Sequence, residues 1–202
     1  MARLAYSKAS LSNISAKLKR YKQFLPSLDL KRQQLAAERK KAQLKFTATE
    51  LEIQDCYKRT AEMLPMLADK TIHVKNLVQV TEVEMTEENV VGVHLPCLKK
   101  LNMDVQSYSL FTEPHWVDQL VVQLKTMMQL KIQHQIEEQR VAALSEALKK
   151  VTQRVNLFDK VLIPKAQQDI RKIRIYLSDL ERAGVVRAKS TKQKRLRLKE
   201  AS

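Results

Sequence analysis

Apolar residues recur three and four positions apart along the whole first third of the chain. From Leu11 they run through Ile14, Leu18, Tyr21, Leu25 and Leu28, then Leu35, Ala42, Phe46, Ile53, Cys56, Met63 and Leu67, with occasional polar gaps. Such a heptad seam is buried only when a second helix packs along it. A helix from about residue 8 to about residue 70 would be roughly 90 Å long at 1.5 Å per residue, so the pattern predicts a rod. The scarcity of turn formers agrees. Only two glycines, Gly92 and Gly184, occur in 202 residues, where average usage gives about fourteen. Hydrophobic residues make up 44% and aromatics only 5%, so Leu, Val, Ile, Ala and Met supply the apolar surface, as in helix seams.

Pro26 and Pro65 interrupt the first helix, each removing a backbone donor, and the second lies near its expected end. Over about residues 72 to 112 the character changes. β-branched residues alternate with polar ones in "KNLVQVTEVEMTEENVVGVHLPCLKKLNMDV", where "TEEN" reads as a turn with Gly92 and Pro96 close by. This predicts a small head with a short β-hairpin. "LFTEPHWVDQLVVQLK" then reads as a helix start, with Thr112 a cap, Pro114 near the first turn, and Glu113 and Asp118 suited to the helix dipole.

The second seam runs Val141, Leu144, Leu148, Val151, Val155, Phe158, Leu162, and then slips in phase to Ala166, Ile170, Ile173, Leu177 and Leu180. Extra four-residue steps of this kind locally unwind a left-handed supercoil, and Pro164 sits inside them. Gly184 reads as a C-cap, followed by a basic tail that frays when alone. The expected fold is all-α dominated. A long antiparallel two-helix coiled coil comprises an N-terminal helix (1–71) and a C-terminal helix (113–184), joined by a small head (72–112) that caps one end. A tail (185–202) follows.

Several function classes are excluded or disfavoured. The two glycines are too far apart for a P-loop or a dinucleotide fingerprint. His94, Cys97 and His115 fall in the head, but no CxxC or HExxH pair accompanies them, so no metal and no cofactor are expected. Nucleophilic catalysis by Cys56 or Cys97 needs a cleft that a rod does not offer. No apolar run approaches the eighteen or so residues of a membrane span. The two cysteines lie far apart and polar residues break every apolar run at the start, leaving no secretory h-region, so a reducing cytoplasm and free thiols are expected. The net charge of +15 allows nucleic acid, anionic lipid or an acidic protein cavity as partner. The tail lacks the interleaved aromatics that stack bases.

Particular residues go further. "RVNLFDKVLIPKAQQDIRKI" resembles the C-terminal signature of the D subunit of the V-type/A-type ATPases (ATP synthases), an Arg-Val-Asn group ahead of an Ile-Pro pair. Here these are Arg154, Val155, Asn156, Ile163 and Pro164. "LPSLDLKRQQL", with Lys31 and Arg32, resembles the same family's first helix, and "YSLFTEPHWVDQLV" the joint between head and second helix in its bacterial branch. Two features depart from it: Pro26, where many members carry a helix-compatible residue, and the tail after Gly184.

The resemblance implies a non-catalytic rotor shaft, peripheral to the membrane. It would stand in the ring of A and B subunits and meet the F subunit and the socket subunit of the membrane rotor ring below. It also implies that Lys31, Arg32, Arg154, Asn156 and Pro164 are rotor or interface positions. The residues alone leave other roles open: a secretion-ATPase stalk, a basic nucleic-acid-binding coiled coil, or a scaffold.

Overall fold

The computed structural model describes residues 5–62, 77–107, 114 and 116–200. Helix α1 spans Lys8–Glu62, strands β1 and β2 span Val78–Val90 and Val93–Val105, and helix α2 spans Trp116–Leu157. A single wide turn, Phe158–Leu162, leads from α2 into helix α3, Ile163–Glu200. Two long helices with a small antiparallel sheet between them are thus present. Pro65, Thr112, Glu113 and His115 lie outside the described residues. The chain divides into two compact units, Met1–Leu30 with Val151–Ser202, and Lys31–Lys150.

In the first unit α1 opens on Ser7, whose hydroxyl accepts the Ser10 amide at 3.1 Å, satisfying a donor that the first turn leaves orphaned. The helices run antiparallel. Tyr6 meets Tyr176 at 5.1 Å between ring centroids, and Tyr21 meets Phe158 edge-on at 5.4 Å. Val151, Val155, Ala166, Ile170 and Ile173 form the buried stripe. Exposed Pro26 does not end α1, because on an outward face the helix loses one hydrogen bond without burying the freed carbonyl.

Gly184 does not end its helix either, contrary to the C-cap expectation. A cap needs a left-handed backbone, and among the described glycines Gly92 has a positive φ and Gly184 does not. Helix α3 continues to Glu200, and every residue from Asp179 to Arg197 is exposed. Its Lys, Arg, Gln and Ala are good helix formers, and cations near a C-terminus favour the dipole.

In the second unit α1 and α2 again run antiparallel, with Phe46 stacked on His134 at 4.4 Å and the Cys56 thiol 3.7 Å from the Gln123 carboxamide oxygen. Leu35, Thr49 and Cys56, the buried residues of α1, are spaced by whole heptads. β1 and β2 pair as a hairpin whose strands have thirteen residues each, longer than the short hairpin expected.

Its turn is Val91–Gly92, with φ of +53° and +76°, and Asn89 accepts the Gly92 amide at 2.9 Å through its side chain. "TEEN" lies within β1 instead. A two-residue turn with both φ positive matches the right-handed strand twist, and Asn-Val-Val-Gly supplies it while Glu87 and Glu88 keep extended pairing.

Thr81 and Lys99 are extra residues at two register shifts, which increase the local twist. The base of the hairpin, Leu77 and Val78, is buried with Val117, Leu120 and Val121 of α2, and Met103, Val105, Trp116, Leu124 and Met128 pack around them.

The hairpin lies along the helices of this unit rather than capping their end. Arg140, well along α2, donates to the Pro96 carbonyl at 3.2 Å and pairs with Glu88 at 2.9 Å. At the tip, a Cβ on Gly92 would lie 3.3 Å from the Lys31 ammonium. Gly92→Ala is expected to cost about 1–2 kcal/mol through the left-handed backbone. Faster amide exchange confined to Val90–Leu95 would register it.

Candidate functional site

The first candidate is polar and lies where the hairpin meets the helix pair. Thr49 occupies a seam position of α1, and its hydroxyl donates to Glu137 at 2.8 Å, while Gln133 donates to the other carboxyl oxygen at 3.0 Å. Both Thr49 and Glu137 are buried, at 4% and 9% exposure, and their polar atoms are satisfied inside the protein, the Thr49 hydroxyl also lying 3.1 Å from the Lys45 carbonyl. Lys45, Cys97, Leu98, Gln133, Ile136, Glu137 and Arg140 line a cavity of about 300 Å³ beside this pair. Cys97 has its own neighbour's carbonyl as partner, at 3.8 Å, and no histidine joins the lining. A thiol without a positioned base does not make a nucleophilic site.

Sequence reasoning missed Thr49, Glu137 and Arg140. Thr49 was detectable: it falls in heptad phase with Leu35 and Cys56, where a polar residue interrupts an apolar seam. Glu137 and Arg140 carry no comparable signal.

The second candidate is the stretch around Pro164. Arg154 and Asn156 are exposed, off the buried stripe of Val151 and Val155, and Pro164 is half-buried. The Ile163 amide reaches back five residues to the Phe158 carbonyl instead of four. Lys31 and Arg32 belong to the other unit and are half-buried, Lys31 under the hairpin tip. Arg154, Asn156 and Pro164 are therefore close along one helix, while Lys31 lies at the hairpin tip.

The third is the exposed end of α3. Between Arg182 and Arg197 it carries Arg187, Lys189, Lys192, Lys194 and Arg195 as well, and no acidic residue.

Chemistry at these places is limited. Among the described residues no group of three or more His, Cys, Asp or Glu is placed to hold a metal ion. His94 instead pairs with Glu87 across the hairpin at 3.5 Å. The Glu146 carboxyl is held below the usual carboxylate range by its hydrogen bond to Lys150, but an exposed pair one helical turn apart is not a general acid or base. Among the described residues no helix is long and apolar enough to cross a membrane.

Comparison with known proteins gives these surfaces a context. The family model for the ATP synthase D subunit matches residues 10–193. The V-type ATP synthase D subunit of Borreliella burgdorferi is 32% identical over 192 residues, 95% of each chain. That of Chlamydia trachomatis is 35% identical over 176 residues, 85% of each chain, and that of Chlamydia pneumoniae 31% over 183 residues, 88% of this chain and 86% of its own. With the match taking in the hairpin and nearly all of both long helices, this chain belongs to the ATP synthase D-subunit family.

Proposed function

We propose that the protein is the non-catalytic central shaft of a V-type rotary ATPase, coupling ATP hydrolysis or synthesis to ion transport. The observation that carries this reading is the family match over residues 10–193, which takes in both long helices. Helices 1–71 and 113–184 form the shaft in this reading, 72–112 the head and 185–202 the basic end.

The partners are the A and B subunits of the catalytic ring, the F subunit, and the socket subunit of the membrane rotor ring. The complex holds the chain at the cytoplasmic face of the membrane. Arg154 and Asn156, exposed beside the seam, are ring-facing candidates, and Pro164 shapes the helix there. Lys31, at the hairpin tip, and Arg32 beside it in sequence are the other interface candidates. The acid-free stretch Arg182–Arg197 of α3 fits an anionic protein lining with little site specificity.

Rotation works by population shift: each face of an asymmetric shaft favours a different state of the catalytic interface it meets.

Affinity purification of the tagged chain from its own cells, after nuclease digestion, tests the proposal. A and B subunits are expected in several copies per tagged chain, fewer of them as ionic strength rises and the Debye length falls from about 30 to about 8 Å. Recovery of nucleic-acid proteins, or of the chain alone, would contradict it.

A further inference from the structure

The slip in the second seam has a definite size. Leu144, Leu148, Val151, Val155, Phe158 and Leu162 follow steps of four and three, which project onward to positions 165, 169, 172, 176 and 179. The seam instead continues at Ala166, Ile170, Ile173, Leu177 and Leu180, each one residue late. One residue has been inserted. If the helix kept the 3.5-residue repeat of a left-handed supercoil, the extra residue would turn everything beyond it by about 100°, carrying the stripe off the partner helix.

The burial shows that this does not happen, since Val151, Val155, Ala166, Ile170 and Ile173 are all buried while Lys172 and Ile175 are exposed. The wide turn Phe158–Leu162 absorbs the insertion by closing an amide-to-carbonyl ring over five residues, Ile163 to Phe158.

Pro164 comes immediately after that closure. It has no amide to offer the carbonyls behind it, and its ring would collide with the Lys160 carbonyl in a normal turn. Widening that turn relieves the collision. The extra residue and the proline are therefore two parts of one arrangement, and together they let the helix carry its apolar stripe past Pro164.

The facing helix is weakened in the same unit. Tyr21 packs edge-on against Phe158, and five residues further on Pro26 withholds another internal donor.

We infer that Phe158–Pro164 is a built-in joint of the helix pair, a place where five-residue and four-residue closure interconvert and the helix winds or unwinds locally. Its use as a torsional element rests on the proposed shaft role, but the joint itself is a property of this chain alone. Both closures keep Phe158 against Tyr21 while changing the rotation of α3 beyond Pro164 by up to one residue's worth. Stored or released twist would then collect at this point rather than spread along the seam.

Hydrogen exchange on the full chain tests the joint directly. The amides of Lys160–Ile163 and of Lys165 should exchange at least about tenfold faster than those of Val151–Leu157 and of Ile170–Ile173. Deleting exposed Lys160 together with Pro164→Ala removes both the inserted residue and the collision, so it should restore uniform protection with helicity retained. Pro164→Ala alone keeps the insertion and should keep the fast site. Protection in the wild-type chain equal to that of its flanks overturns the inference, whatever the variants do. Loss of the helical seam in the combined variant overturns it too.

A bead on the shaft of immobilised ATPase rings separates this from the functional reading. If the wild-type chain does not rotate, the shaft role fails while the exchange result stands. If it rotates, the combined variant should narrow the bead's angular spread, and an unchanged spread rules out a torsional joint.

Discussion

Ile173→Ala is expected to lower the unfolding free energy by about 3 kcal/mol, the usual range for emptying a fully packed aliphatic site. Ile173 is 0% exposed and lies beyond the inserted residue, in the shifted phase of the seam. Ile175→Ala removes the same atoms from a side chain that is 55% exposed, so its cost should stay within about 0.5 kcal/mol. Urea unfolding of the two variants reads the difference at unchanged slope. Equal costs would mean that the seam beyond Pro164 is not in the phase described, and would remove the basis for reading Phe158–Leu162 as an absorbed insertion.

Thr49→Val should cost about 2 kcal/mol, although it changes little volume, because it leaves a buried carboxyl oxygen of Glu137 without its donor. Replacing both partners, Thr49→Val with Glu137→Leu, should recover most of that loss, since two apolar groups in a seam need no partner. The resulting double-mutant cycle should give a coupling of about 1–2 kcal/mol. Additive costs would show that the two side chains do not act as a pair. The stability recovered in the double variant should come with weaker specification of helix register, because a single buried polar pair penalises every sliding of one helix along the other. Arg140 adds a tie of the same kind between hairpin and helix through Pro96 and Glu88.

Much of this architecture was written in periodicity. The heptad steps from Leu11 to Cys56 and from Val141 to Leu180 predicted two long helices, because a seam that repeats over many turns has only one way to be buried. The position of the phase slip was equally legible. What periodicity could not say is how the extra residue is absorbed, since a relaxed supercoil and a single wide turn fit the same spacing. The nearby proline, acting on the carbonyl four residues back, selects the wide turn.

The hairpin was legible in kind but not in detail. β-branched residues marked the strands, but "TEEN" looked more turn-like than Val91–Gly92. The turn fell at Val91–Gly92, where Gly92 takes positive φ freely and β-branched Val91 only at a cost, and where Leu77 and Val78 still reach the apolar patch on α2. Gly184 misled for the opposite reason: a glycine permits a left-handed cap without requiring one, and the Lys- and Arg-rich stretch beyond it still favours helix.

The interaction positions depend on partners rather than on the chain's own packing. Arg154 and Asn156 differ from any solvated polar residue only through the resemblance that singled them out. Glu137 and Arg140, by contrast, are fixed by tertiary neighbours far away in sequence, which no local pattern encodes.

Rotation is the measurement that tests the central claim most directly. Rings of A and B subunits, immobilised and supplied with ATP, would be combined with this chain carrying a bead at a cysteine placed on the hairpin by Glu87→Cys. The shaft reading predicts continuous rotation of the bead in one direction, stopping when ATP is withdrawn. Rings that hydrolyse ATP while the bound bead stays still, or that fail to take up the chain at all, would contradict it.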